Sequence, residues 1–211
     1  MNGRREALGR RFARLVTRVV VARPGLWRVF RRPLRAEFDR LAPVWDGVIT
    51  RERLAPLTAA LGRVEGEPAT VLDVGTGTGK AAFVAAERFP AAEVVGIDLS
   101  PAMIDQARSL LPVELKDRVR FEVADASELP FEDGSFDLVV LLNMIPFFDE
   151  LGRITAPGGT VVIGAVSGPA TPIWTPPETL RARLGPVGFD RFDELQAGEG
   201  TAFLARRSKP E

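Results

Sequence analysis

The chain has 211 residues, 45% of them hydrophobic and 27% charged, with 28 basic side chains against 28 acidic ones, the proportions of a folded globular protein and not of a disordered or fibrous one. This length suits one domain with a single active site and a short extra element at one end. Cysteine, histidine and tyrosine are absent, which excludes disulfides, thiolate or histidine metal sites, cysteine nucleophiles and Ser-His-Asp hydrolysis, so no metal site is expected and carboxylates, Lys, Arg and the backbone must carry any chemistry.

Residues 1–53 hold 14 arginines and 5 acids, a surplus of nine positive charges that the rest of the chain offsets. The pattern predicts a basic amphipathic helical arm over 1–53 and an acidic body over 54–211. In the arm, Leu8, Phe12, Leu15, Val16, Val19 and Val20 recur at helical spacing, with Arg10, Arg11, Arg14 and Arg18 on the other side of the wheel. Pro24-Gly25 ends this helix, and a second basic-aromatic stretch, Leu26–Arg32, runs to Pro33. The apolar stripe either docks on the body or lies on an anionic membrane surface through residues 8–32. Nucleic acid is not an expected partner, because the acidic body would repel a phosphate backbone. No run approaches the ~18 apolar residues of a spanning helix, so the expected location is the cytoplasm, either free or peripherally at the inner membrane face.

From Thr70 onward strands and helices alternate. Strands are expected at Thr70–Val74, Glu93–Ile97, Val119–Val123, Phe136–Leu142 and Thr160–Val166. Helices are expected at Lys80–Phe89, Pro101–Leu111 with Ser100 as N-cap, Phe147–Ile154, and from Pro176-Pro177 to Leu184. Pro157-Gly158-Gly159 reads as a turn, and Gly188–Phe192 and Thr201–Ala205 as two final strands with Gly198 and Gly200 between them. The alternation predicts a doubly wound α/β fold with ligands beyond the carboxyl ends of parallel strands.

The strongest local feature is Val71–Lys80, a buried strand passing through Gly75, Gly77 and Gly79 into a helix. Glycines there permit a sharp turn and a close ligand approach. Neither of two common phosphate-binding patterns fits: the sixth position from Gly75 is Lys80 where the dinucleotide fingerprint has glycine, and Gly79-Lys80 is followed by Ala81 where a P-loop has Ser or Thr. Asp73-x-Gly75-x-Gly77-x-Gly79 instead resembles motif I of the class I S-adenosylmethionine-dependent methyltransferases, and the later segments agree in order. Val94–Ser100 ends a second strand in Asp98, and Val119–Phe131 resembles the third motif. Phe136–Val140 with Arg153–Gly159 resembles the fourth strand and the turn before the fifth.

The resemblance covers roughly residues 38–207. It implies a seven-stranded, mostly parallel Rossmann-like sheet beneath an N-terminal helical lid, with S-adenosylmethionine as cofactor. The cofactor-binding set it implies is Asp73, Gly75, Thr76, Gly77 and Gly79 in the glycine loop, Asp98 on the ribose, Leu99 and Met103 along the adenine, Asp125 and Ala126 at the adenine amino edge, Asn143 near the methionine end, and Trp45 over the sulfonium. Bland roles compete residue by residue. Asp73 and Asp98 could cap turns, Leu99 and Met103 could be core, Trp45 could staple the arm to the body, and Lys80 could be solvated or paired. Phe147, Phe148, Trp174 and the Ser167–Pro177 loop could wall an apolar acceptor site or simply be core. The expected activity is methyl transfer to a small acceptor, either lipid-like or an amine or carboxylate; the rival is a catalytically silent S-adenosylmethionine-binding protein that uses its arm for association.

Overall fold

The computed structural model describes residues 2–209, with side chains from Gly9 onward; Leu8's side chain lies outside them. Two long helices open the chain, α1 (Asn2–Ala22) and α2 (Trp27–Trp45), then a short α3 (Ala55–Leu61). The core follows as β1 (Thr70–Val74), α4 (Lys80–Arg88), β2 (Glu93–Asp98), α5 (Pro101–Leu110), β3 (Val119–Val123), β4 (Phe136–Leu142), α6 (Phe148–Ile154) and β5 (Thr155–Ala165). The chain closes with α7 (Pro177–Leu184), β6 (Phe189–Ala197) and β7 (Gly200–Arg207).

The seven strands form one sheet in the order β3-β2-β1-β4-β5-β7-β6. The first five strands pair in parallel, and β7 inserts antiparallel between β5 and β6. Alternate residues of each strand point to opposite faces. Val71, Val94, Leu138 and Val140 pack against α3 and α4, while Leu72, Val95, Val139 and Leu141 pack against α6, α7 and the buried stripe Val16, Val20, Val21 and Trp27 of the arm. The docking alternative for the arm is thus realised for its inner face. Strand order reverses between β1 and β4, and in such sheets the crevice for ligands lies outside the carboxyl ends at that point.

Local sequence explains most element ends. Ser100 caps α5, its Oγ accepting from Met103 N at 3.1 Å. Gly79, with φ 90°, is the residue before α4. Three expectations need correction. The second basic stretch does not stop at Pro33: α2 runs through Pro33 and Pro43. Pro33 leaves the Val29 carbonyl without its helical donor, but Val29 is 66% exposed, so water can take that place. β5 begins before Pro157-Gly158-Gly159, at Thr155, which pairs with Phe136; the next pair is Leu138 with Thr160, so Ala156–Gly159 are shed as an irregularity. β6 continues to Ala197, past Phe192, as a mostly polar edge strand. α3 has no counterpart in the sequence reading.

Gly96 on β2 lies where an added Cβ would sit 2.5 Å from Phe121 Cδ1 and 2.7 Å from Thr76 Oγ1. Gly96→Ala is expected to destabilise the fold by about 1–3 kcal/mol through overpacking, read as a lower urea midpoint at unchanged slope; an unchanged midpoint would contradict this account of the β2–β3 packing.

Candidate active site

The glycine loop is built on three left-handed residues, Gly75 (φ 73°), Gly77 (φ 53°) and Gly79 (φ 90°), conformations that a side chain would strain. Gly75 N and Thr76 N both donate to Ile97 O, at 2.9 and 2.8 Å, tying the loop to the end of β2. Asp73 beneath it is fully buried, with Oδ2 accepting from Thr76 Oγ1 at 2.6 Å. Its Oδ1 has no hydrogen-bond partner. Burial, opposed by the Thr76 and Ala82 bonds, pushes its carboxyl up to about 7.

Asp98 closes β2 beside this loop. Its Oδ2 accepts from Gly77 N at 3.0 Å and its Oδ1 from Ser100 N at 2.9 Å, so the acid is oriented by two amides with one lone pair on each oxygen still free. Burial raises its carboxyl against the pull of those amides. Asp125 follows β3 and holds four donors: Trp27 Nε1 at 2.8 Å, Ser127 N at 3.0 Å and Ser127 Oγ at 2.8 Å on Oδ1, and Arg31 at 3.4 Å on Oδ2. Burial pushes the Asp125 carboxyl up, but those bonds more than reverse it and hold it below the usual range. Ala126 and Leu99 pack with Trp27 in one apolar cluster, Ala126 buried and Leu99 at its edge. Met103, with 1% exposure, sits as core in this state.

The helix α2 lies across the ends of three strands in turn. Trp27 and Arg31 reach Asp125 after β3; Asp39 accepts from Ser100 Oγ at 2.5 Å after β2; Trp45 Nε1 sits 3.2 Å from where a Cβ on Gly77 would be. Phe38 braces Trp45 edge-to-face at 5.6 Å. Lys80 pairs with Asp46 at 3.1 Å and donates to the carbonyls of Asp46 and Ile49, the paired alternative for this residue. Asn143 takes a left-handed turn (φ 54°) at the end of β4, and its Oδ1 accepts from Val166 N at 3.0 Å. Its oxygen thus fastens the end of β5, a use the sequence did not suggest.

Beside the loop, Met144 joins two features. Its Sδ lies 2.7 Å from where a Gly75 Cβ would be, and its side chain also lines a cavity of about 380 Å³ with Ile163, Ile173, Trp174, Leu180 and Phe203. Of the three aromatics considered for an acceptor wall, Trp174 lines this cavity. Phe147 and Phe148 are core; Phe147 packs edge-to-face on Trp27 at 5.3 Å. Trp27 and Arg31 are the site residues that sequence reasoning missed; the available signal was an indole inside an otherwise basic stretch.

Because the folded state raises the Asp73 carboxyl from an ordinary 3.8 to about 7, it favours the protonated form. That contribution is complete at low pH and is lost as pH rises through about 7. Asp73→Asn, neutral at every pH, is expected to gain stability relative to wild type progressively between pH 4 and 7.5, by up to a few kcal/mol (~1.4 per unit). Thermal denaturation across that range checks this, and a constant offset would refute it.

Residues 71–159 match the family model described as a methyltransferase domain. The demethylmenaquinone methyltransferase of Thermus thermophilus is 38% identical over 141 residues, 60% of this chain and 62% of that protein. The malonyl-[acyl-carrier protein] O-methyltransferase of Geobacter sulfurreducens is 39% identical over 128 residues, 60% of this chain and 47% of that protein. The chain therefore spans about half to three-fifths of the length of these curated relatives. Among solved structures, a Haloferax volcanii methyltransferase in complex with the Trm112 activator superposes with a TM-score of 0.67 at 21% identity over 82% of this chain and 98% of that one. A Haemonchus contortus phosphoethanolamine N-methyltransferase in complex with S-adenosyl-L-methionine gives 0.64 at 19% identity over 81% and 57%. Residues 71–159 thus match a methyltransferase domain in sequence, and the seven-stranded sheet shares its fold with these solved structures.

Proposed function

We propose that the protein transfers the methyl group of S-adenosylmethionine to a small, largely apolar acceptor held in the cavity beside Met144. The observation that carries this reading is the position of Met144, one side chain covering Gly75 and also lining that cavity, so that the glycine loop and the cavity share a wall. The donor set also fits the cofactor: Asp98 has a free lone pair on each oxygen for ribose hydroxyls. Asp125 and Ala126 would receive the adenine edge, and Trp45 would face the sulfonium.

The cofactor supplies an electrophilic methyl carbon; the chain must hold the acceptor's lone pair in line behind it, and such orientation can contribute ~7–11 kcal/mol. The apolar wall of Ile163, Ile173, Trp174 and Phe203 excludes water around the acceptor. Glu194, the one acid lining the cavity among the described residues, is paired with Arg181 at 2.6 Å, which makes it a poorer base than an unpaired carboxylate. This favours an acceptor that is already nucleophilic, an amine or a carboxylate. The names of the relatives, which include a demethylmenaquinone and a malonyl-thioester methyltransferase, support a lipid-like or carboxylate acceptor.

The outward face of the arm extends the reading. Phe12, Leu15, Leu26 and Val29 are exposed there, and residues 8–32 carry eight arginines and no acid. This combination suits a cytoplasmic protein resting on an anionic membrane surface from which a lipid-like acceptor is drawn. No helix among the described residues is long and apolar enough to cross a membrane. The rival, a silent S-adenosylmethionine-binding protein, needs the loop and Asp98 but not the cavity.

By calorimetry, Asp98→Ala is expected to weaken S-adenosylmethionine binding at least tenfold, the effect of losing about 1.5–3 kcal/mol of hydrogen bonds to a charged group; equal affinity would remove Asp98 from the site. Trp174→Ala is expected to raise the acceptor KM without changing cofactor affinity, whereas methyl turnover with no acceptor class would favour the silent protein. Vesicles containing phosphatidylglycerol should retain wild type at low salt and release it at high salt, and Leu15→Asp with Val29→Asp should abolish retention. Equal retention of that variant would overturn the membrane reading.

A further inference from the structure

We infer that the arm is an intramolecular competitor for the cofactor: Trp27 and Arg31 donate to the Asp125 carboxylate that would receive the adenine amino group, and cofactor binding competes with them. The inference rests on the proposed S-adenosylmethionine site. A carboxylate offers about two lone-pair positions on each oxygen; Asp125 Oδ1 is crowded by three donors, Trp27 among them, and Oδ2 meets Arg31 at 3.4 Å. Two come from Ser127, two residues along the same loop, and cannot leave without unmaking that turn. The other two come from α2, more than ninety residues away in sequence, and they alone can be exchanged for a ligand.

The two exchangeable donors differ in strength. Arg31 is distant at 3.4 Å and half-exposed, so it yields readily. Trp27 is the stronger competitor, because its indole N–H donates at 2.8 Å and its buried ring packs on Phe147, in the apolar cluster that also holds Ala126 and borders Leu99, the residues proposed to flank the adenine. A planar aromatic donor in that cluster resembles an adenine in one respect: an apolar ring with one N–H directed at the same acid. The remaining pins of α2, Asp39 on Ser100 and Asp46 on Lys80, lie toward the ribose and loop ends and do not depend on Asp125. A local shift of the Trp27 end can therefore open the adenine position while the rest of α2 keeps covering the cleft.

Trp27→Phe keeps a buried aromatic ring, though a smaller one, and removes the competing N–H; Arg31→Ala changes a half-exposed side chain. Calorimetric titration of the full chain with S-adenosylhomocysteine is expected to show about tenfold tighter binding for Trp27→Phe and a smaller gain for Arg31→Ala. Arg28→Ala, exposed and bonded to Gly25 O, controls for the lost positive charge and should leave affinity unchanged. Unchanged or weaker binding by Trp27→Phe, with wild type binding normally and Asp98→Ala defective, would overturn the competitor and make Trp27 a residue that positions Asp125 for the ligand. Absence of binding by wild type and all variants would instead bring down the cofactor site itself, and the inference with it.

Discussion

A sheet whose central strands are apolar on both faces must be covered on both faces, and here the second cover is made partly by the arm. Leu72, Val95, Val139 and Leu141 share a cluster with Val16, Val20, Val21 and Trp27. Each fully buried side chain of this kind is worth about 1.5–3 kcal/mol, so the arm is part of the body's core. This is why α2 can cross the ends of β3, β2 and β1 as a fixed strap, with its contacts at Asp125, Ser100 and Gly77 set by the same packing. Cofactor access must then come from local movement of single side chains, since lifting the whole arm would expose that face of the sheet.

The charge asymmetry takes a different form in three dimensions. Few of the arm's arginines reach acids of the body: Arg31 meets Asp125, while Arg10 and Arg14 donate to the Ala170 carbonyl. The traffic also runs the other way, with Arg183 of α7 donating to Val21 O. Backbone carbonyls, not carboxylates, thus anchor α1, and the arm's outward arginines keep their charge available to solvent. An interior held by apolar contacts and carbonyls beneath a cationic exterior is an arrangement in which a surface partner can engage α1 without breaking its attachment.

Elements that follow one period and end at a clear signal were legible in the sequence. β1, β3 and β4 have the expected boundaries, and Ser100 caps its helix, because strand alternation and capping are local. Non-local compensation was not legible. α2 passes Pro33 because its buried side is held by the sheet, and β5 begins ahead of a Pro-Gly-Gly turn because Phe136 supplies a partner across an irregular register. The polar strand β6 exists because β7 offers it a ladder, which no composition signal could announce. In the candidate site, Asp73, Asp98 and Asp125 could be grouped from the sequence because their strands end together. Trp27 could not, since its bond is to a carboxylate 98 positions away.

The absence of His, Tyr and Cys constrains any chemistry at this site more tightly once the cavity is considered. Its one acid is held by Arg181, and its remaining wall is apolar, with threonines and Gln196 at the polar positions. On the proposed reading, such a wall offers little help in removing a proton. An acceptor would then bring its own nucleophilic lone pair, and the protein's contribution would be placement and exclusion of water. Placement depends on the junction where the cavity meets the loop, and Met144 sits there between Gly75 and the cavity, next to the left-handed turn at Asn143 whose side chain fastens β5. A strained residue immediately before the shared wall is thus accounted for by the demand that wall must meet: without a base, the geometry between loop and cavity is the only quantity left for the fold to control.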